Sequence, residues 1–364
     1  MSADLDSLRL PTARERARAA ARTGIARSTA SRFAILLGAL VLLAVVAIAS
    51  LFIGSGMFSP EVVWTALTQG GTDTNSVLVT DYRVPRMLLG IAVGSALGLA
   101  GAVMQAVTRN PLADPGILGV NSGAYLAVVL AVALAGVADL SNYVWWSFLG
   151  AALAAVAVYL IGARSGSGRG GAGAGATPVR LVLAGVALSA TLQGVTFAIT
   201  IRNPDIFDKI RFWQAGSLQN RQFDSLWGIL PFLVAGVLLA LVVARPLNAV
   251  ALGDDLATSL GARILRTRLL SFVAITLLCG AATAVAGPIA FLGLMAPYVA
   301  RSIVGPDQRW VLPLTMVFAP IIFLSADVAG RVLVPGEMPV GVVTAFVGAP
   351  ILIVLIRRSK TQGL

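Results

Sequence analysis

The residues of this sequence that could do chemistry are few, and most of them are arginines. The 364-residue chain has no histidine and one cysteine, Cys279, so it lacks the usual nitrogen and sulfur ligands of zinc or haem. Neither Lys209 nor Lys360 follows a glycine, as the lysine of a G-x-x-x-x-G-K-[ST] phosphate loop would. The sequence therefore predicts no catalytic residue, no metal site and no bound cofactor, and any nucleotide hydrolysis would belong to a partner.

Three arginines flank apolar segments and could act in recognition. Arg83 and Arg86 precede one such segment, and Arg331 follows another. Guanidinium groups at the ends of membrane helices can pair with carboxylates of a docking protein. The alternative is that they form local ion pairs within the chain, such as Asp81–Arg83 or Asp327–Arg331.

Two polar loops also carry signals. The loop 245–268 contains Asp254 and Asp255 where a short helix could begin, with Gly261 placed to end it. Such a helix could lie on the lipid surface or dock into a partner. The segment 109–116 contains two prolines, which predict a rigid bend, either purely structural or part of a gate.

Composition identifies the elements that must position these residues. Hydrophobic residues make up 57% of the chain, charged residues 12%, and the mean hydropathy is +0.88. A soluble domain has about twice that share of charge, so the composition excludes a water-soluble enzyme and predicts an all-α polytopic membrane protein. The net charge of +11 is typical of arginine-rich cytoplasmic loops and does not require nucleic acid.

Apolar segments predict ten transmembrane helices. They lie at about 33–53, 86–106, 116–137, 143–163, 179–201, 225–244, 269–287, 288–304, 310–330 and 338–356. The run 269–300 is apolar throughout and too long for one span, and Gly287-Pro288 supplies a break within it. Ten spans place both termini in the cytoplasm, with 20 of the 27 basic residues on that side, as the positive-inside rule requires.

The predicted domain organisation is simple. Residues 1–32 form a basic, disordered cytoplasmic tail, residues 33–358 form the ten-helix domain, and residues 359–364 form a second cytoplasmic tail. With this arrangement no ionisable group is left for a helix centre, where proton-coupled transporters usually keep one. Energy for any transport would therefore enter from outside the chain.

Several long motifs resemble one family of membrane proteins. They are Arg83-Val-Pro-Arg86, Gly101-Ala-Val-Met-Gln105, Asn110-Pro-Leu-Ala-Asp114-Pro-Gly, Phe212-Trp-Gln-Ala-Gly-Ser217, the loop 252–261, Gly287-Pro-Ile-Ala-Phe-Leu-Gly-Leu-Met-Ala-Pro297, Ala326-Asp327 with Arg331, and Gly336-Glu-Met-Pro-Val-Gly341. Together these motifs resemble the FecCD permeases of binding-protein-dependent ABC importers for iron–siderophores, haem and cobalamin. Within that family, segments 203–218 and 331–337 are most similar to the ferric enterobactin members.

The resemblance implies a type II ABC importer permease in the plasma membrane and assigns roles to particular residues. Gly253, Asp254, Ala257, Leu260 and Gly261 would belong to the coupling loop that contacts the ATPase. Arg83, Arg86 and Arg331 would dock the binding protein, and Asn110 and Leu112 would form a cytoplasmic gate.

The implied partners are a cytoplasmic ABC ATPase dimer that hydrolyses ATP, an extracytoplasmic siderophore-binding protein and a second permease subunit, in a heterodimer rather than a homodimer. The implied cargo is a ferric siderophore of the enterobactin type. The alternatives are a haem or cobalamin importer of the same architecture, a secondary transporter that needs no ATPase, and a membrane receptor or assembly protein that transports nothing.

Overall fold

The computed structural model describes residues 26, 28–54, 56–135, 140–164, 178–334 and 336–360, and among them it contains helices and no strand. The helices are α1 (Thr29–Phe52), α2 (Pro60–Gln69), α3 (Thr74–Thr108), α4 (Val120–Ala135), α5 (Leu140–Arg164), α6 (Pro178–Arg202), α7 (Pro204–Gln214), α8 (Phe223–Val250), α9 (Asp254–Ser259), α10 (Ile264–Ala286), α11 (Leu292–Val304), α12 (Gln308–Leu333) and α13 (Val340–Lys360). Most of the predicted tail 1–32 lies outside the described residues, as do 361–364 of the tail 359–364.

Each of the ten apolar segments coincides with one helix. Seven of these helices are long and apolar enough to cross a membrane by length and composition. In the other three, α4, α11 and α13, the apolar stretch is shorter: Val120–Leu134, Leu292–Val304 and Val340–Val354.

The predicted break between the seventh and eighth apolar segments is confirmed. Helix α10 ends at Ala286, Gly287 has φ +76°, and α11 begins only at Leu292. Helix α11 has 13 residues, so at 1.5 Å per residue it is about 20 Å long, short of the roughly 30 Å of a hydrocarbon core.

Two helices begin earlier than their hydropathy predicts. Helix α1 starts at Thr29 because Ser28 and Ser31 form a reciprocal capping box. Helix α3 starts at Thr74, where the Asp73 carboxylate accepts the first-turn amide of Ser76. It then continues through a π-helical stretch, Leu78–Arg83, before the apolar part. Arg83 and Arg86 therefore lie on the helix and not in a preceding loop.

The core is built around three helices. About 72% of the most apolar window of α3 and of α10 is buried within the chain, and 56% of that of α12, against 22% for α1 and 17% for α6. Helix α3 packs against α12, α10 and α11. The outer helices therefore offer their faces to lipid or to partner subunits.

Small residues let α3 approach its neighbours closely. A Cβ at Gly94 would lie 2.6 Å from the Cα of Pro320 on α12, and one at Gly98 would collide with Ala319. A Cβ at Gly101 would collide with the backbone carbonyl of Gly293 on α11. In lipid, such backbone contact supplies the packing energy that hydrophobic burial supplies in water.

Candidate functional site

The three predicted docking arginines come together at one end of the bundle, the end predicted to face outward. Arg86 donates to Asp327 from Nε (3.0 Å to Oδ2) and from Nη2 (2.8 Å to Oδ1), and to Glu337 from Nη1 (2.8 Å). Arg331 also donates to Oδ2 of the same carboxylate, at 2.6 Å. We call Arg83, Arg86, Arg331, Asp327 and Glu337 the arginine cluster.

The cluster also caps the end of α1. Arg331 donates to the carbonyls of Ser50 (3.0 Å) and Ile53 (3.2 Å), and Arg83 donates to those of Leu51 (2.7 Å) and Phe52 (3.0 Å). These are last-turn carbonyls with no partner inside the helix, and the helix dipole favours cations there.

Of the two local ion pairs considered for these arginines, Asp327–Arg331 is present. Arg83 instead turns to α1 and to the carbonyl of Gly56 at 2.6 Å. Arg331 is only 5% exposed. Arg331 therefore contributes to the outer surface mainly by fixing the end of α1 and the Asp327 carboxylate.

Beside the cluster lies an open cleft of about 640 Å³. Arg83, Arg86 and Arg331 line it together with Glu337 and Gln219, whose amide donates to the Glu337 carboxylate at 3.1 Å. Burial raises the pKa of Glu337, but the hydrogen bonds from Arg86 and Gln219 and the charges of Arg86 and Arg331 together hold that pKa below its usual value. Glu337 therefore stays ionised, a role that sequence reasoning missed although Glu337 lies within a quoted motif.

At the opposite end of α3, the two predicted gate residues form a tight turn. Arg109 ends the helix in the left-handed conformation with φ +53°. The Asn110 side chain accepts the Leu112 amide at 2.9 Å, and its backbone carbonyl accepts the Ala113 amide at 3.1 Å. The predicted bend is confirmed, and it presents Leu112 with 40% of its surface exposed. We call residues 109–113 the gate turn, after the role predicted for Asn110 and Leu112.

The predicted short helix in the loop 245–268 is also confirmed, as α9. Gly253 precedes it with φ +109° and Gly261 follows it with φ +81°, conformations that favour glycine. Ala257, a predicted contact residue, is fully buried, so it packs α9 onto the protein. Three leucines in or beside α9 are exposed, one on the helix and one on each side of it. They are Leu252, Leu256 and Leu260.

Asp254, the first residue of α9, joins this loop to the gate turn. Its carboxylate accepts hydrogen bonds from Arg109 and from Arg268 of α10, the latter at 2.8 Å. Burial raises the pKa of Asp254, but the hydrogen bond from Arg109 and the charges of both arginines outweigh burial and lower it. Sequence reasoning identified Asp254 and the gate turn separately and missed both arginine partners.

The described part of the chain contains no group of three or more carboxylate, cysteine or histidine side chains that could hold a metal ion. Cys279 is buried on α10 as a free thiol.

The model of the FecCD transport family matches residues 42–358 of this chain. The chain belongs to the FecCD transport family. This is a transport family, and its membership together with the apolar helices makes the chain a multi-pass protein of the inner membrane.

Individual FecCD relatives match almost end to end. The ferric enterobactin transport system permease protein FepD of Escherichia coli K12 is 50% identical over 90% of this chain and 95% of its own length. The iron(3+)-hydroxamate import system permease protein FhuB of Bacillus subtilis 168 is 38% identical over 90% of this chain and 83% of its own.

A solved structure supports the fold. A metal-chelate type ABC transporter in an inward-facing conformation matches with a TM-score of 0.76 and 27% identity, covering 90% of this chain and 99% of that chain.

The arginine cluster generates a prediction about stability. The Asp327 carboxylate has no exposed surface and is shared by two arginines. Asp327→Asn leaves Arg331 without its counter-charge and Arg86 with Glu337 alone, and breaking a buried pair costs about 3–5 kcal/mol. We expect a loss of that order in the free energy of unfolding, measured by denaturant titration in detergent. Asp81→Asn, an exposed change at the same end of the bundle, should leave stability within about 0.5 kcal/mol of the parent; equal stability of the two variants would contradict the prediction.

Proposed function

We propose that this chain is the permease subunit of a type II ABC importer that moves a ferric siderophore of the enterobactin type into the cytoplasm. The observation that carries the proposal is the 50% identity to the E. coli ferric enterobactin permease over nearly the full length of both chains. The chain itself performs no bond chemistry and binds no cofactor. It supplies the pathway, and its partners supply cargo capture and ATP hydrolysis.

The proposed topology has ten spans with both termini in the cytoplasm. The one-to-one match of ten apolar segments with ten helices supports it, and so does the concentration of basic residues in the segments assigned to the cytoplasm. The short helix α11 spans with the help of the non-helical residues 287–291, of which Gly287 and Ile289 are buried within the protein.

A second permease subunit completes the pathway. Helix α6 is mostly exposed in the single chain, yet it carries Thr191 and Gly194 on its exposed surface. The Thr191 hydroxyl donates to the Ala187 carbonyl within the helix, whereas a Cβ at Gly194 would meet no atom of this chain within 4 Å. Such bare backbone on an exposed face suits close packing against a protein neighbour. The resemblance to the enterobactin permeases favours a related but different chain as this neighbour.

Alternating access explains how the parts work together. The loaded binding protein and ATP-bound ATPase subunits favour different conformations of the permease pair, so cycling between them moves the cargo. Asn110 and Leu112 of the gate turn close the cytoplasmic side in this scheme. The binding protein provides most of the specificity, because the pathway offers few charged groups.

The first test measures cargo directly. Uptake of radio-iron bound to a panel of ferric siderophores, with haem and cobalamin alongside, is compared in cells with and without this chain under iron limitation. We expect selective loss of uptake of one catecholate siderophore. Loss of haem or cobalamin uptake instead would overturn the cargo and keep the ABC mechanism. Uptake that persists after the partner ATPase is deleted would point to a secondary transporter.

The exposed leucines in and beside α9 are the proposed ATPase contact. Gly253, Asp254, Ala257 and Gly261 shape and hold the helix, while Leu252, Leu256 and Leu260 present apolar surface that a soluble partner could bury. Exposed apolar residues on a cytoplasmic loop are typical of a docking surface.

We expect Leu256→Asp to weaken ATPase association about tenfold or more, because burying one leucine contributes roughly 1.5–3 kcal/mol. The measurement is the affinity of the purified ATPase for the permease pair in nanodiscs. Thr258→Asp adds the same charge about 200° around the helix and serves as the matched control. Equal weakening by both variants would argue against a specific leucine contact.

The arginine cluster is the proposed docking site for the binding protein. Its cleft is positive overall, since Arg83, Arg86 and Arg331 outnumber Asp327 and Glu337. Such a surface attracts acidic residues on a partner and loses that attraction as salt rises. Arg83 is the natural residue to test because no carboxylate of the chain pairs with it in the described structure.

We expect Arg83→Gln to weaken binding of the loaded receptor about fivefold at low salt, the effect of losing one partly exposed charge pair. Surface plasmon resonance at two salt concentrations measures this, and the difference should shrink at high salt. Arg202→Gln removes an exposed charge elsewhere on the predicted outer face and is the control. Unchanged receptor affinity at low salt would contradict the docking role of Arg83.

A further inference from the structure

The single carboxylate of Asp254 lies between two arginines from different parts of the fold. Arg109 donates from Nη2 to Oδ1, and Arg268 donates from Nη2 to Oδ2 at 2.8 Å. Each carboxylate oxygen therefore has its own guanidinium. We call these three residues the Asp254 triad.

The two arginines of the triad belong to different parts of the fold, the gate turn and helix α10. Arg109 ends α3 in the left-handed conformation and is the first residue of the gate turn, directly before Asn110. Arg268 lies on α10, one of the two most buried spanning helices. Asp254 thus connects α9, the proposed ATPase contact, both to the gate turn and to the core of the bundle.

The rest of α9 is lightly held. Of its six residues, only Ala257 is buried. Asp255, the next residue, is exposed, and no ion pair or hydrogen bond of its carboxylate is found among the described residues. The two neighbouring aspartates of one helical turn therefore differ in that only Asp254 reaches the gate turn.

The triad is also exposed enough to respond to a partner. The side chains of Arg109 and Asp254 are 38% and 43% exposed, whereas that of Arg268 is 14% exposed. An ion pair in such a position is a modest interaction that adds little to the stability of the fold, but it joins α9 directly to the gate turn.

We infer that the Arg109–Asp254 ion pair is the link through which movement of α9 is passed to the gate turn, so that the two segments move as one body. Asp254 is thus a positioning residue for the gate. The inference rests on the proposed function, because an ATPase must move α9.

The first experiment requires neither cargo nor ATPase. Hydrogen–deuterium exchange of the full-length permease in detergent reports on the Leu112 and Ala113 amides, which are bonded within the gate turn. We expect Asp254→Asn to accelerate their exchange about fivefold, the equilibrium factor of one partly exposed ion pair. Asp255→Asn, the matched control, should leave it unchanged. Equal exchange in both variants would overturn the inference whether or not the chain transports siderophores.

The second experiment uses the complete importer in proteoliposomes with its ATPase, second permease and loaded binding protein. We expect Asp254→Asn to retain ATPase association and ATP hydrolysis while siderophore transport falls about fivefold, so that more ATP is spent per cargo. Asp254→Glu should recover part of the transport. If Asp254→Asn instead releases the ATPase, Asp254 serves that interface and the inference is wrong. Failure of the unmodified importer to transport would overturn the proposed function separately.

A covalent replacement of the link provides the sharpest test. In a Cys279→Ala background, which removes the only native thiol, Arg109→Cys and Asp254→Cys are combined and joined by a short bismaleimide. We expect the unlinked double variant to be uncoupled and the cross-linked one to recover transport, because the two segments move together. Cross-linking that abolishes residual transport would show that they must separate, and would overturn the inference.

Discussion

The buried carboxylate of Asp327 is the interaction on which the outer end of the bundle depends. A lone ionised carboxylate in this position would be strongly destabilising, and it is stable only because Arg86 and Arg331 surround it. Through these two arginines the same carboxylate fixes α3, the end of α1 and the loop before α13. The proposed docking cleft is the surface of this arrangement, so recognition and stability share the same residues.

The sequence was a good guide to the elements and a poor guide to their contacts. Hydropathy and Gly287 predicted the helices, because the cost of burying backbone in lipid depends on local composition. The partners of Arg86 could not be predicted in this way, since Asp327 and Glu337 lie 241 and 251 residues away. The same holds for Arg109 and Asp254, which are 145 residues apart and come together only in the folded chain.

The six residues of α9 show the same difference between predicting an element and predicting its contacts. Glycine and aspartate placement predicted a short helix at the right place, because caps and dipoles act locally. Which face of that helix packs inward depends on the neighbouring helices, and the structure buries Ala257 while exposing Leu256. The family resemblance supplied the expected role of the loop, and the structure shows which of its residues are buried, which are exposed and which form ion pairs.

Helix α3 has a consequence of its own. It runs for 35 residues, about 52 Å, and its middle part, Gly90 to Gly101, is held by glycine contacts to α12 and α11. Arg83 and Arg86 lie in its N-terminal part, and its last residue adjoins Arg109. One helix therefore extends from the proposed docking site of the binding protein to the side on which the ATPase is proposed to bind. Proteins that bind at the two ends therefore act on the same helix. Thermodynamic reciprocity then requires that whatever a docked receptor does to ATPase affinity, the ATPase does to receptor affinity in equal measure.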